Sequence, residues 1–234
     1  MPLPGGEPEQ LTNHPADDFL PTWSPDGKWI AFYSFRNGNR DLYLMSSDGG
    51  SLQQITSDPA QERYPDWSPD GSSLVFFSDK TGRQEVYIIS KDINGRWGAL
   101  RQLTSKEGRY PKWSPDGKRI AYVSNGDVLL ISPEGGDSKV LVPRQPSIDA
   151  WFLGWSRDGR TLYYKAADLE RRATIWSVPA SGGTPRLLLR FDDPIRPSLR
   201  AEFAVSSRDI FFTMTERESD IWVMELGGVQ KSAR

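Results

Sequence analysis

The sequence contains no cysteine and only one histidine, His14, and its charges almost cancel. The lack of cysteine excludes disulfide bonds, thiolate zinc sites and a cysteine nucleophile. A formal net charge of −2 gives no reason to expect nucleic acid as a partner, because nucleic-acid binding normally requires a basic surface. No apolar run approaches the roughly 18 residues that a membrane helix needs, so we expect no membrane insertion of this segment.

What the chain does contain is an internal repeat. Its best copies are "PTWSPDGKWIAFYS", "PDWSPDGSSLVFFS" and "PKWSPDGKRIAYVS", and two degraded copies are "LGWSRDGRTLYYKA" and "AEFAVSSRDIFFTM". An aromatic anchor recurs every 42 to 48 residues, at Trp23, Trp67, Trp113, Trp155 and Phe203. A period in the forties that is made of strand-like pieces is typical of β-propeller blades.

Each repeat predicts four strands joined by tight turns. After the anchor strand, Ser-Pro-Asp-Gly favours a hairpin: proline fixes φ, aspartate accepts local amide hydrogen bonds, and glycine takes a left-handed conformation. Four repeats have the Asp-Gly pair, at Asp26 and Gly27, Asp70 and Gly71, Asp116 and Gly117, and Asp158 and Gly159. We interpret the anchors and these pairs as scaffold, since one active site would not need a copy in every repeat.

The strand count predicts how the ring closes. Five units supply first, second and third strands, but the last unit ends after "DIWVMEL" without a fourth strand, and "EPEQLT" near the N-terminus resembles the missing piece. We therefore predict an all-β single domain over residues 1–234, a propeller of five four-stranded blades in which the N-terminal strand completes the last blade. The alternative is an incomplete part of a six- to eight-bladed ring. The predicted boundaries are a closing strand at about 8–13, blades at about 20–57, 64–105, 110–142, 151–189 and 200–226, and a tail at 227–234.

The repeat closely resembles that of TolB-type β-propellers, which are bacterial relatives of WD-repeat proteins. The segments "YPDWSPDGSSLVFFSD", "EVYIIS" and "LRQLTS" carry the likeness, and the repeat covers essentially the whole chain. The resemblance implies a non-catalytic, periplasmic propeller that binds partners through one face. We expect the chain to depart from the six-bladed family pattern in having five blades and no extra N-terminal α/β domain. Its C-terminal stretch is also similar to propellers fused to bacterial serine/threonine kinases.

No catalytic or metal site is predicted. "GWSRD" has Asp158 where a nucleophile elbow needs glycine, and its Ser156 occupies the serine position of the repeat. A serine triad would have to use His14, which we interpret as a surface-loop residue. The acids near the inner strands that could form a glycosidase pair include Asp66 and Glu202, with Asp17 and Asp18 in the loop before the first anchor, and they form no recognisable motif. No calcium-loop motif occurs, and we predict no cofactor.

The candidate binding residues precede each anchor, where the loop before the first strand opens at the channel mouth. Aromatic residues and arginines, which are enriched at binding hot spots, recur there beside mixed charges. The predicted rim is Arg63, Tyr64, Asp66, Arg109, Tyr110, Lys112, Trp151, Phe152, Arg200 and Glu202. The alternative is that the aromatic members only pack against the neighbouring blade.

These observations favour a non-catalytic interaction module, expected to be monomeric, that binds a protein, peptide or small ligand through this rim. The likeness to kinase-fused propellers extends this expectation to the sensor part of a larger bacterial protein. The alternatives are the gating propeller of a prolyl-oligopeptidase-type peptidase and a glycosidase or lactonase with a funnel site. The resemblance and the absence of cysteine favour an extracytoplasmic or periplasmic location, although "MPLPGGEPEQ" lacks the features of a signal peptide.

Overall fold

The computed structural model describes residues 10–145, 149–170, 172–192, 203–206, 209–213 and 221–225. These residues form β-strands and turns, in five antiparallel sheets. Four sheets have four strands each, and the fifth has three. Each sheet meanders from an inner to an outer strand in chain order, which is the arrangement of a propeller blade. The prediction of an all-β propeller is therefore confirmed.

The strands are numbered in chain order. Blade 1 contains β1 Asp18–Trp23, β2 Trp29–Ser34, β3 Asp41–Ser46 and β4 Leu52–Gln54. Blade 2 contains β5 Glu62–Trp67, β6 Ser73–Ser78, β7 Glu85–Ser90 and β8 Arg101–Gln102. Blade 3 contains β9 Arg109–Trp113, β10 Ile120–Ser124, β11 Asp127–Ile131 and β12 Lys139–Val142. Blade 4 contains β13 Asp149–Trp155, β14 Thr161–Ala167, β15 Ala173–Pro179 and β16 Arg186–Arg190. Blade 5 contains β17 Phe203–Val205, β18 Asp209–Thr213 and β19 Ile221–Glu225.

The core lies between blades, because the second and third strands are buried on both faces. All six residues of β6 are buried, and alternate residues face opposite neighbours: Phe76 packs toward blade 1, whereas Val75 packs toward blade 3. The β-branched and aromatic residues of these strands fill both interfaces, as in other sheets that are covered on two sides. Similar apolar clusters join blade 3 to blade 4 and blade 4 to blade 5. The described residues contain no helix that is long and apolar enough to cross a membrane.

The Ser-Pro-Asp-Gly turns form the predicted hairpins and also touch one another. In each of the four turns the serine hydroxyl donates to the aspartate at 2.6 Å, and the glycine has φ between 66° and 71°. The proline of one turn lies against the glycine of the next blade, in the pairs Pro25 with Gly71, Pro69 with Gly117, and Pro115 with Gly159. Blade 4 has Arg157 in place of this proline, and the sequence between β17 and β18 of blade 5, Ser206–Arg208, contains neither proline nor glycine. The two turns that depart from the Ser-Pro-Asp-Gly sequence therefore belong to neighbouring blades, 4 and 5.

The N-terminal segment lies on the outer face of blade 1. Leu11 packs against the cluster of Ile30, Phe32, Tyr43 and Met45. In the same way Ile55 and Leu103, from the repeat segments "QQITSD" and "RQLTSK", pack into the interfaces that follow blades 1 and 2. Gln10–Asn13 have no strand pairing, and residues 8–9 of the predicted closing strand lie outside the described residues, as does the tail. Closure of a five-bladed ring by this segment, and the domain boundaries, stay predictions.

Candidate functional site

The inner strands of the five blades enclose one cavity of about 780 Å³. Its wall is mainly apolar, and three repeats place a proline in it two residues before the anchor, at Pro21, Pro65 and Pro111. The charged side chains on the wall are Asp18, Asp66 and Lys112. Concave, mostly apolar cavities with few polar groups are the usual form of ligand sites.

A backbone irregularity recurs at the same place in four inner strands. The pairing of β5 with β6 shifts by one residue between Arg63 and Asp66, and β1, β9 and β13 show equivalent shifts. The residue at each shift has a positive φ: 51° at Leu20, 59° at Tyr64, 53° at Tyr110 and 44° at Phe152. A left-handed conformation costs a non-glycine residue about 1–2 kcal/mol. Such outliers are concentrated at binding and active sites, where the surrounding structure maintains them.

This irregularity directs three aromatic rings to the middle of the propeller. The ring centroids of Tyr64 and Tyr110 are 4.9 Å apart, those of Tyr64 and Phe152 are 5.1 Å apart, and those of Tyr110 and Phe152 are 5.0 Å apart. Phe77 stacks behind Tyr64 at 5.2 Å, and Tyr33 lies 6.0 Å from the same ring. We call Tyr64, Tyr110 and Phe152 the aromatic cluster. It comes from three separate blades, so the cavity keeps its shape only while those blades stay in place.

A charged pair lies on the cavity wall beside the cluster. Lys112 Nζ lies 2.5 Å from Asp66 Oδ1, and the other oxygen of Asp66 accepts the backbone N–H of Trp113 at 2.8 Å. Asp66 is nearly buried, whereas the Lys112 side chain is 39% exposed and can reach a ligand. The pair therefore offers one accessible cation in an otherwise apolar wall.

The residue before each anchor contacts the anchor of the next blade. The indole N–H of Trp67 donates to the carbonyl of Thr22, and that of Trp155 donates to the carbonyl of Lys112, both at 3.2 Å. In blade 5 the predicted anchor Phe203 has no indole; Val205 takes the register position of these tryptophans, opposite Ile210, and Phe203 and Val205 both pack against Gly154. Trp67 and Trp155 are about nine-tenths buried by these contacts, but the first anchor, Trp23, is 57% exposed on the cavity wall.

Not all of the predicted rim residues line this cavity. Tyr64, Asp66, Tyr110, Lys112 and Phe152 do so. Arg63, Arg109 and Trp151 are absent from the wall, because they precede the backbone shift that turns the next residue inward. The Arg63 guanidinium instead lies near the Phe77 ring and Asp79, and Arg109 pairs with Glu107. Arg200 and Glu202 lie outside the described residues.

The described residues that the sequence analysis weighed for catalysis make structural contacts. Asp18 pairs with Arg36 at 2.8 Å, and Asp66 pairs with Lys112. Ser156 donates to Asp158 in its turn, and the His14 ring accepts the N–H of Ala16. Within the described ranges, no group of three or more His, Asp or Glu side chains could hold a metal ion.

Two features of the site were missed by sequence reasoning. Trp23 was interpreted only as scaffold, but it is exposed on the cavity wall, and Phe77 supports the cluster from the second strand. The signal for Phe77 was available, since alternation along "SLVFFS" places Val75 and Phe77 on one face. The repeat alone does not specify the exposure of Trp23, since Trp67 and Trp155 occupy the same repeat position and are buried.

Comparison with known proteins gives a consistent picture. Residues 1–182 match the family described as TolB beta propeller domain. The Tol-Pal system protein TolB of Desulfosudis oleivorans is 40% identical over 40 residues, which are 17% of this chain and 9% of that protein. The crystal structure of TolB from Acinetobacter baumannii superposes with a TM-score of 0.60 at 26% identity, over 74% of this chain and 43% of the TolB chain.

A puromycin hydrolase also has a similar fold. Its crystal structure matches with a TM-score of 0.63 at 16% identity, over 90% of this chain and 36% of the hydrolase. The present chain thus spans less than half of each of these two solved structures, and the matched stretch is less than a tenth of the curated TolB relative.

Proposed function

We propose that this chain, which belongs to the TolB beta propeller domain family, is a non-catalytic interaction module that binds a protein or peptide segment in its central cavity. The observation that supports the proposal most is the aromatic cluster. Three residues from three blades hold their rings about 5 Å apart, each from a backbone conformation that L-residues rarely adopt. A pre-formed aromatic site loses little conformational entropy on binding, which favours recognition by a rigid face.

The chemistry of the wall indicates what it would bind. Prolines and aromatic rings provide apolar contact area, and Lys112 adds one accessible positive charge. An extended segment with apolar or aromatic side chains and one acidic group would match this wall. Tyrosine, tryptophan and arginine contribute most to such interfaces when they lie at the centre of the contact.

The proposal can be tested by selecting binders from a phage-displayed peptide library on the immobilised propeller. A tryptophan at Ala204, an exposed position on the cavity wall, would fill the cavity. We expect selected peptides to bind Ala204→Trp at least about tenfold more weakly, a loss of about 1.4 kcal/mol. The matched control is Gln53→Trp, which adds the same side chain to an exposed position on the outer strand β4 and should leave binding unchanged. Equal binding to both variants would refute the proposed site, as would a selection that yields no specific peptide.

A second candidate is the gating propeller of a peptidase, which the likeness to puromycin hydrolase favours. This role would require an α/β-hydrolase domain with a G-x-S-x-G strand–turn–helix in the same polypeptide. Sequencing the gene beyond the codon for Arg234 discriminates between the two candidates. The proposed interaction module needs no such domain.

A further inference from the structure

Glu62, the first residue of β5, has an unusual environment at the junction between blades 1 and 2. Its side chain is fully buried, Oε1 accepts the hydroxyl of Ser78 at 2.7 Å, and Oε2 is buried without a hydrogen-bond partner. Its backbone N–H donates to the carbonyl of Arg40 in blade 1 at 2.7 Å. The residue therefore joins the two blades through its backbone and buries a carboxyl group between them.

The equivalent positions in blades 1 and 3 show how unusual an unpaired, buried carboxyl group is at this place in the repeat. The equivalent position in blade 1 is Asp18, which pairs with Arg36, and in blade 3 it is Gly108, where an added Cβ would stand only 2.9 Å from Val86. Lys80 occupies the place of Arg36 in blade 2, but it pairs with Asp58 instead. A buried carboxylate without a cation costs several kcal/mol, so the group is expected to keep its proton.

The groups around Glu62 are acidic rather than basic. Asp41 on β3 is almost fully buried, and it accepts hydrogen bonds from Thr56 Oγ1 at 3.3 Å and Gln54 Nε2 at 3.1 Å. Asp58 approaches from the segment between β4 and β5, and its negative charge disfavours ionisation of both Asp41 and Glu62. The other polar or titratable groups facing the site are Ser78 on β6 and Tyr87 and Glu85 on β7. The nearby cations pair with other carboxylates, Lys80 with Asp58 and Arg83 with Glu85, and not with Glu62.

These surroundings favour the protonated carboxyl near neutral pH. Burial is the main reason that the pKa of Glu62 is raised to about 7; Asp58 and Asp41 also raise it, whereas Ser78 and Thr56 lower it. Burial likewise raises the pKa of Asp41 to about 6. Because the folded protein binds these protons more tightly than the unfolded chain, the stability that these two groups contribute is fully present below their ordinary pKa values of 4.5 and 3.8 and is lost as the pH rises through the folded values.

Glu62 is also connected to the candidate site. Tyr64 of the aromatic cluster is two residues away on β5, and the backbone shift that gives Tyr64 its positive φ begins at Arg63. We propose that Glu62 is a proton-binding site whose ionisation loosens the junction of blades 1 and 2 and, with it, the placement of Tyr64 in the aromatic cluster. The proposal concerns the fold around the cavity and holds whether or not the cavity binds a peptide.

The direct test is carboxyl ¹³C NMR of the protein labelled at glutamate, with the Glu62 signal assigned by its loss in Glu62→Gln. We expect the signal to titrate with a midpoint near 7. A midpoint near the ordinary value of 4.5 would overturn the proposal. This measurement uses the wild-type protein and stands even if the variant folds poorly, since the signal can then be assigned through its neighbours.

Urea unfolding between pH 5 and 8 tests the effect on the junction. The unfolding constant of the wild type should rise by at least ~10-fold over this range, and Glu62→Gln should remove most of the rise. The matched control is Asp18→Asn, which removes the repeat-equivalent carboxylate but should keep the pH dependence. An unchanged slope in Glu62→Gln would contradict the proposal.

Two further outcomes complete the test. The aromatic ring signals of Tyr64 should shift with the same midpoint as Glu62 in the wild type, and not in Glu62→Gln. A Tyr64 signal that does not change over this pH range would refute the link to the cluster.

Calcium chloride added at pH 8 should not change the melting temperature. A rise with calcium in the wild type that Glu62→Gln abolishes would mean a cation site instead of a proton site.

Discussion

Gly154 and Phe203 form the contact that joins the inner strands of blades 4 and 5. The Phe203 ring packs so closely against the Gly154 backbone that an added Cβ would lie 2.8 Å from Phe203 Cε2 and 3.0 Å from Val205 Cγ2. In the other junctions this position holds threonine, aspartate or lysine, and the next anchor is tryptophan. Glycine and phenylalanine thus replace a hydrogen-bonded contact with a packed one.

Gly154→Ala should therefore destabilise the propeller by about 1–3 kcal/mol, because the added methyl group overpacks the junction. Urea unfolding followed by tryptophan fluorescence measures the change. In the double variant Gly154→Ala with Phe203→Leu, the smaller side chain makes room, so the two losses should be less than additive. Additive losses would mean that the residues do not share this contact.

The positive φ of Tyr110 predicts that glycine is less destabilising than alanine at this position, the reverse of the usual order in a strand. With φ at 53°, Tyr110→Gly should be more stable than Tyr110→Ala by about 1 kcal/mol, since both remove the ring and only glycine relieves the backbone strain. At Lys112, which has no positive φ, the order should be the usual one, with alanine the more stable in a strand. The free energy of unfolding of the four variants decides this, and the same order at both positions would contradict the left-handed assignment.

Leu11 tests whether the N-terminal segment stabilises the fold. Leu11→Ala should cost about 1–2 kcal/mol, because the half-buried leucine covers the outer face of blade 1 in the way that Ile55 covers the next interface. Leu52→Ala is the control, since Leu52 is 52% exposed on β4 and its truncation should have little effect. If both variants unfold like the wild type, the N-terminal segment does not contribute to the ring.

The pKa values of the turn aspartates predict how the stability of the fold changes at acidic pH. The hydrogen bond from the Ser114 hydroxyl lowers the pKa of Asp116, and the backbone N–H of Lys118 adds to this effect; the other three turns do the same. A lowered pKa contributes stability above the ordinary value of 3.8 that is lost as the pH falls through the folded pKa. Asp116→Asn should melt below the wild type at pH ~5, and the difference should vanish near pH ~2. A difference that does not depend on pH would contradict this origin.

The sequence predicted the blade architecture because the repeat makes the same local choices in every unit. Proline, aspartate and glycine specify the hairpin, and the apolar second and third strands require neighbours on both faces. The likeness of the C-terminal stretch to kinase-fused propellers stays a prediction, as does the position of Glu202.

The site was harder to predict because a one-residue backbone shift reverses which side chains face inward. Aligned by the repeat alone, Arg63 and Tyr64 look like neighbours on one rim, but the shift turns Tyr64 into the cavity and leaves Arg63 near Asp79. The lack of a cation beside Glu62 was equally hidden, because Lys80, which takes the place of Arg36, pairs with Asp58 instead.

The central claim, recognition in the cavity, is tested most directly by methyl NMR with a peptide selected on the wild-type propeller. The account predicts that the methyl signals of Leu20, Leu153 and Val205, which line the cavity, shift on titration. The exposed side chains of Leu52, Ile93 and Val140 lie away from the cavity wall and should not respond. Shifts confined to this second group would mean that binding occurs on the outer surface and would contradict the account.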